Sequence, residues 1–245
     1  MRYLIGIDDT DNPDSRGTGF RARQLGARLG EAGLAELCGI TRHQLFVHPD
    51  IPYTSHNSAA CLDVRLLDGS MGMLRDFCRD YLAAESAPGS DAGLCVAGFD
   101  AVADEVVVFG RSAKHTVLTR EQARDLAGRQ GLHLEGVTGD HMGMIGALSA
   151  VGLRRSGHDG RFIWLRGVRE LSGTAIVDDL LATTGIDSVE TVDADPVPGK
   201  ARVCVDPWPR PVLLDGRAVL LAQKTDKSGT AYDWELLSKD AIRRY

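Results

Sequence analysis

The run Tyr3-Leu4-Ile5-Gly6-Ile7, followed at once by Asp8-Asp9-Thr10-Asp11, constrains this chain more than any other stretch. Five apolar residues, two of them β-branched, predict a short buried strand. Asn12, Pro13, Asp14 and Ser15 supply turn chemistry, and Arg16-Gly17-Thr18-Gly19 then opens a segment in which Ala22, Leu25 and Leu29 recur at helical steps. The predicted order is strand, acidic tip, glycine loop, helix start. Carboxylates at a strand end can hold a hard cation that shares its oxygen ligands with a phosphate. Glycines let backbone N–H groups approach an anion, and a helix N-terminus favours negative charge. Arginines 16, 21 and 23 add fork-shaped donors. A plainer reading has the acids capping a turn and the arginines covering a solvated helix face. The co-occurrence of acids, glycines and arginines favours a metal–phosphate site. It is not a Walker A loop, because no Gly-Lys-Ser/Thr follows.

Size sets the next bound. A chain of 245 residues can form one large or two small domains with a real core, and a net charge of −6 argues against a broad nucleic-acid surface. Five scattered cysteines with no Cys-x-x-Cys pair argue against a zinc site or a disulfide frame and predict a reduced, cytoplasmic protein. No apolar run reaches membrane length, so no membrane association is expected.

Further along, strands are expected at 40–47, 62–66, 94–96, 105–109, 132–137, 162–165, 189–192 and 202–205. Helices are expected at 72–84, from a Thr119/Gln122 capping box through Arg129, from Met144 to Val151, and at 174–183. Val212–Leu214 and Ala218–Leu221 around Asp215-Gly216 predict a hairpin, and the polar last twenty residues a peripheral tail. Mixed alternation of this kind predicts an α+β protein in two parts.

A second loop, Gly139-Asp140-His141-Met142-Gly143, repeats the strand–turn–helix logic of the first. Asp140 could meet a metal or a cation, and His141 a phosphate or a proton. Taken alone, the loop's glycines are better explained by close helix–sheet packing. His48, His56 and Asn57 stand in a Pro-rich loop where polar side chains are available to a ligand. No Gly-x-Ser-x-Gly elbow suggests a serine hydrolase.

Several of these segments together resemble one family. Ile5-Gly6-Ile7-Asp8-Asp9-Thr10-Asp11 is similar to the opening motif of the archaeal tRNA-Ile 2-agmatinylcytidine synthetases. Pro49-Asp50-Ile51-Pro52-Tyr53, Gly143-Met144-Ile145-Gly146-Ala147-Leu148-Ser149-Ala150-Val151-Gly152 and Pro209-Arg210-Pro211-Val212-Leu213 resemble later family segments in the same order. The resemblance implies an N-terminal kinase-like α/β domain, set here at 1–113, and a ferredoxin-like α+β domain at 114–245. It implies ATP and Mg²⁺ as cofactors, with Asp8, Asp9 and Asp11 as metal ligands and Asp8, Asp9 and Thr18 as the catalytic set. Arg16, Gly17, Gly19, Arg21, His56, Asn57, Gly139, Asp140, His141 and Gly143 are the expected nucleotide-binding residues.

The departures matter too. The family's OB-type domain and zinc ribbon have no counterpart here, so tRNA is not an expected partner and a small-molecule or agmatine-like acceptor is. The position of the family's phosphorylated threonine falls on Phe20, which leaves Thr18 as its substitute. Residues 53–59 lack the two basic residues of the corresponding family loop. The expected activity is ATP-dependent phosphoryl transfer or ligation on a small or nucleoside-like acceptor. A non-catalytic nucleotide-binding module is the alternative, and an aspartyl phosphatase ranks behind both, because the final threonine of Asp-x-Asp-x-Thr is missing.

Overall fold

The computed structural model describes residues 1–51, 56–226 and 229–244. The chain forms two compact units, Met1–Ser156 and Gly157–Tyr245. Elements of the first are β1 (Arg2–Asp8), α1 (Thr18–Glu31), β2 (Ala35–Gln44), β3 (Ser58–Leu66), α2 (Met71–Glu85), β4 (Gly93–Gly98), α3 (Asp104–Ser112), α4 (Arg120–Gln130), β5 (His133–Gly136) and α5 (Gly143–Ser156).

Every strand pair in this unit is antiparallel, in the order β5-β4-β1-β3-β2. The chain order β1-α1-β2-β3-α2-β4 with sheet order β4-β1-β3-β2 is a split βαβ arrangement. It lies within the first 98 residues. β1 is the central strand, and its period of two divides the core. Leu4, Gly6 and Asp8 face α5, while Tyr3, Ile5 and Ile7 are buried on the opposite face.

Glycine is what lets α5 lie on the sheet. A Cβ on Gly6 would stand 2.0 Å from the Ala147 carbonyl oxygen, and one on Gly93 would stand 2.1 Å from the Gly143 carbonyl carbon. Helix α3 packs on the back of α5 at the same close range, with Gly152 against the Val106 carbonyl. At the far end of β1, buried Asp63 takes both Arg2 and Arg154 at 2.6 Å, tying α5 to β3. Because α3, α4 and α5 complete this core, the division of the chain falls after Ser156 and not at 113.

The 105–109 segment is helical, a correction to the strand expected there. Its three valines carry β propensity, yet Val106, Val107 and Phe109 bury against α5 while Val108 is 58% exposed, a helical spacing. The Thr119/Gln122 capping box starts α4 as predicted, and left-handed Gly131 ends it.

The second unit contains β6 (Arg161–Trp164), β7 (Thr174–Ile176), α6 (Val177–Thr183), β8 (Ser188–Glu190), β9 (Arg202–Cys204), β10 (Val212–Leu214), β11 (Arg217–Lys224) and β12 (Trp234–Leu236). Its strands run β6-β10-β11-β12-β9-β7, with β8 parallel to β11. The expected hairpin forms between β10 and β11, with Asp215 and Gly216 both at positive φ as a tight primed turn requires. Two further expectations fail here. Residues 174–176 pair with β9 before the helix begins, and the polar tail contributes β12, whose Trp234 is buried. Among the described residues no helix is long and apolar enough to cross a membrane.

Candidate functional site

The acidic tip gathers at the end of β1. Asp8 is the last strand residue, in register with Gly93, and Asp9 turns the chain with a left-handed φ of 53°. Such backbone is uncommon outside glycine and tends to persist at functional sites. The Asp9 N–H donates back to the Asp8 carboxylate. Asp8 in turn presses on α5, where a Cβ on Gly146 would come within 1.7 Å of Asp8 Oδ2.

Thr10 and Thr18 lie beneath this tip. Thr18 opens α1, and the preceding Gly17 provides no side-chain cap. Asp11 takes over that role from outside the helix: its Oδ1 accepts from the Thr18 N–H at 3.1 Å and from the Thr18 hydroxyl at 2.8 Å. The Thr10 hydroxyl donates to Thr18 Oγ1 at 3.2 Å. Both threonines are buried, so the tip rests on a closed network of hydroxyl and carboxylate.

Burial and mutual repulsion dominate the electrostatics. Desolvation, followed by the neighbouring charge of Asp9, raises the Asp8 carboxyl to about 8, against the bond from the Asp9 N–H. Desolvation first, then the charges of Asp91 and Asp11, raises Asp9 to about 6. Both groups therefore carry protons in part near neutral pH.

A cavity of about 100 Å³ opens above the tip. Asp8, Asp9, Asp11, Asp50 and Thr18 form one side, His56, Asn57 and Ser58 continue it, and Gly143 and Gly146 contribute the start of α5. Leu45, Ala113, Val117, Leu118 and Ile145 form an apolar wall. Among the described lining residues there is no lysine or arginine. Asn57 is partly occupied in structure, its side-chain amide donating to the Phe46 carbonyl at 2.6 Å.

Of the residues singled out from sequence, Asp8, Asp9, Asp11, Thr18, His56, Asn57 and Gly143 line this one cavity. Others lie outside it. Arg16 stacks on Phe20 at 4.6 Å, and Arg21 donates to Gln24 and pairs with Glu85 at 2.9 Å. Gly17, Gly19, Gly139, Asp140 and His141 are likewise absent from the lining, although the last three lead directly into α5. Pro52 to Ser55, part of the loop compared with the family, lie outside the described residues.

Among the described residues no three His, Cys, Asp or Glu side chains converge as a metal-ligand group. Asp8, Asp9 and Asp11 are thus not a preformed three-carboxylate site, since Asp11 is drawn toward the helix start. Mg²⁺ needs less than that, because it is commonly held by one or two carboxylates together with substrate phosphates and water. Asp8 and Asp9 fit that requirement: their desolvation and repulsion are the conditions a divalent cation relieves.

Sequence reading missed Asp50, Asp91 and the apolar wall. Asp50 stood inside the Pro-rich loop without a role assigned. Asp91 lay in a Ser-Asp-Ala-Gly run legible only as a helix breaker.

Fold and site together define an α+β protein whose acidic strand tip and glycine-lined helix start share one cavity. No family model and no curated protein matches the sequence. Solved structures do: the chain is similar to apo TiaS, an agmatidine synthetase for an isoleucine tRNA, with 26% identity over 62% of this chain and 35% of that one and a TM-score of 0.53. The complex of TiaS with that tRNA and ATP matches with 26% identity and a TM-score of 0.54, and a tRNA fluorescent labeling enzyme with 27% and 0.54. For these two, 62% of this chain matches 36% of the other, so the match spans about a third of those proteins' length.

Proposed function

We propose that this chain is an ATP- and Mg²⁺-dependent phosphoryl-transfer or ligase-type enzyme related to the agmatidine synthetases, acting on a small or nucleoside-like acceptor. The observation that carries this reading is the pairing of Asp8 and Asp9 at the β1 tip with the glycine-lined start of α5, inside one cavity that also has an apolar wall. One of the similar TiaS structures is a complex with ATP, and another is a complex with AMPCPP and agmatine.

In this reading Asp8 and Asp9 hold the cation, which supplies charge neutralisation to the transferred phosphoryl group. The apolar wall receives the base. Thr18 is the candidate phosphoryl acceptor, and Asp11, 2.8 Å from its hydroxyl, is placed to take the proton. The acidic side of the cavity also suits a cationic, agmatine-like acceptor, because Asp50 and Asp9 would face it without competing basic side chains among the described lining residues.

Calorimetry with ATP and Mg²⁺ on the wild type and on Asp9→Asn tests the reading. Loss of one ligand carboxylate should weaken binding by about tenfold or more. No binding by the wild type, or undiminished binding by the variant, would refute it.

A second reading, a non-catalytic nucleotide-binding module, is favoured by the burial of Thr18, 7% exposed with its hydroxyl engaged by Thr10 and Asp11. Intact-mass measurement after incubation with ATP and Mg²⁺ separates the two. A phosphorylated protein that vanishes in Thr18→Val supports the enzyme; nucleotide binding without phosphorylation or turnover supports the module.

A further inference from the structure

The short segment between α2 and β4 acts as a template for the loop that enters α5. The Asp91 carbonyl accepts from the N–H of Gly143, the first residue of α5, at 2.9 Å, and Asp91 Oδ1 accepts from the Asp140 N–H. Gly139, at a left-handed φ of 56°, lies so close that a Cβ there would stand 1.9 Å from the same oxygen. The flanking residues extend the contact. Thr138 Oγ1 donates to the Ser90 carbonyl at 2.7 Å and accepts from the Ala92 N–H at 2.9 Å, and the Val137 N–H donates to the Ala92 carbonyl at 2.7 Å.

This template ends where α5 meets the acidic tip. Cβ atoms on Gly143 and Gly146 would collide with the Asp8 carbonyl and carboxylate respectively, at 2.7 and 1.7 Å. A small shift of the helix start therefore changes the space open to Asp8. Asp91 itself is not among the residues lining the cavity.

We propose that Asp91 is a positioning residue for the acidic site: its carboxylate fixes the 139–143 turn so that α5 begins against Asp8. Besides the charge it exerts on Asp9, it acts through that turn, and it does not line the cavity. The inference rests on the reading of Asp8 and Asp9 as the ligand-holding end of the cavity, and its first test needs no ligand.

The full chain is compared as wild type, Asp91→Asn and Asp91→Ala. Asn keeps an oxygen for the Asp140 N–H and loses the charge; Ala loses both. In the ligand-free proteins, amide exchange at Asp140 and Gly143 should quicken about tenfold in the Ala variant and stay within about threefold in the Asn variant, as loss of a charge-assisted bond implies. The carbon-13 carboxyl signal of Asp8, read near pH 4 where Asp8 and Asp9 both hold their protons and the lost charge of Asp91 cannot shift their titration, should move in Asp91→Ala and hold in Asp91→Asn. Calorimetry with Mn²⁺ and ATP should show about tenfold weaker binding in the Ala variant than in the Asn variant, since the charge exerted on Asp9 is lost in both and the difference reports the acceptor oxygen.

Faster exchange with an unmoved Asp8 signal would reduce Asp91 to a local loop contact and overturn the proposal. Asn behaving like Ala would overturn it as well, because the acceptor oxygen would then be immaterial. A wild type that binds no nucleotide refutes the nucleotide reading alone, and the Asp8 signal still decides the role of Asp91.

Discussion

Asp8 is a residue whose chemistry departs far from its solution behaviour. Its carboxyl is raised to about 8 in the folded chain by burial and by the charge of Asp9, against an unfolded value near that of an ordinary aspartate. For an acid raised on folding, the native state binds more protons than the unfolded chain between those two values. Stability is thus greatest at low pH and falls as pH rises toward 8. Asp8→Asn should leave Tm almost unchanged near pH 3 and raise it by about 5 °C near pH 9, measured by calorimetric melting without divalent ions. Added Mg²⁺ should raise the wild-type Tm near pH 9 and not near pH 5, since at low pH protons occupy the carboxylates. The opposite slope would mean that Asp8 is ionised and well solvated. The residue scale was also where sequence was most and least informative. Asp8, Asp9, Asp11 and Thr18 were legible because strand period, turn residues and helical spacing fixed their order within eleven consecutive positions. Asp91 was not, because its partners lie some fifty residues away, at Asp140 and Gly143.

Among the elements, α5 does most to shape the site. It lies across the centre of the sheet, on strands that leave no side chain beneath it at Gly6 and Gly93. Gly6→Ala would place a methyl carbon 2.0 Å from the Ala147 carbonyl, backbone against backbone, so relief requires movement of the helix. A loss of about 2–3 kcal/mol in urea unfolding is expected, with weaker nucleotide binding as the helix start is displaced from Asp8. At the other end of the helix, Asp63→Ala strands the buried Arg154 guanidinium, 6% exposed, without its carboxylate. That change should cost about 3–5 kcal/mol, more than removal of an exposed pair such as Arg65–Glu36, which belongs in the range of ~0–1 kcal/mol. A small effect at Asp63 would show that the helix is held by packing alone. The small-residue pattern from Met144 to Val151 made α5 readable as a helix. Its neighbour α3 was misread as a strand because Val106-Val107-Val108 carries β propensity, and contact with α5, a tertiary term invisible in the local sequence, decides its conformation.

The two-unit division has a consequence at the level of the whole chain. A boundary at 113 would leave Leu4, Cys61, Cys95 and Ala97 without the face of α5 that covers them, since Ala147, Leu148 and Val151 belong to the same core. Leu4, Leu45, Val102, Val106 and Phe109 of this core would then be exposed together, each worth about 1.5–3 kcal/mol when fully buried, a sum comparable to the net stability of an ordinary domain. The fragment 1–156 contains both faces of that sheet and every described residue lining the acidic cavity. It should unfold cooperatively in urea and keep the wild-type response to ATP with Mg²⁺, whereas the fragment 1–113 should remain unfolded or aggregate. If 1–113 instead unfolds cooperatively and binds nucleotide, then α5 is dispensable, and the glycine contacts at Asp8 carry none of the function assigned to them. If 1–156 folds but binds nothing that the full chain binds, the acidic cavity alone does not account for binding.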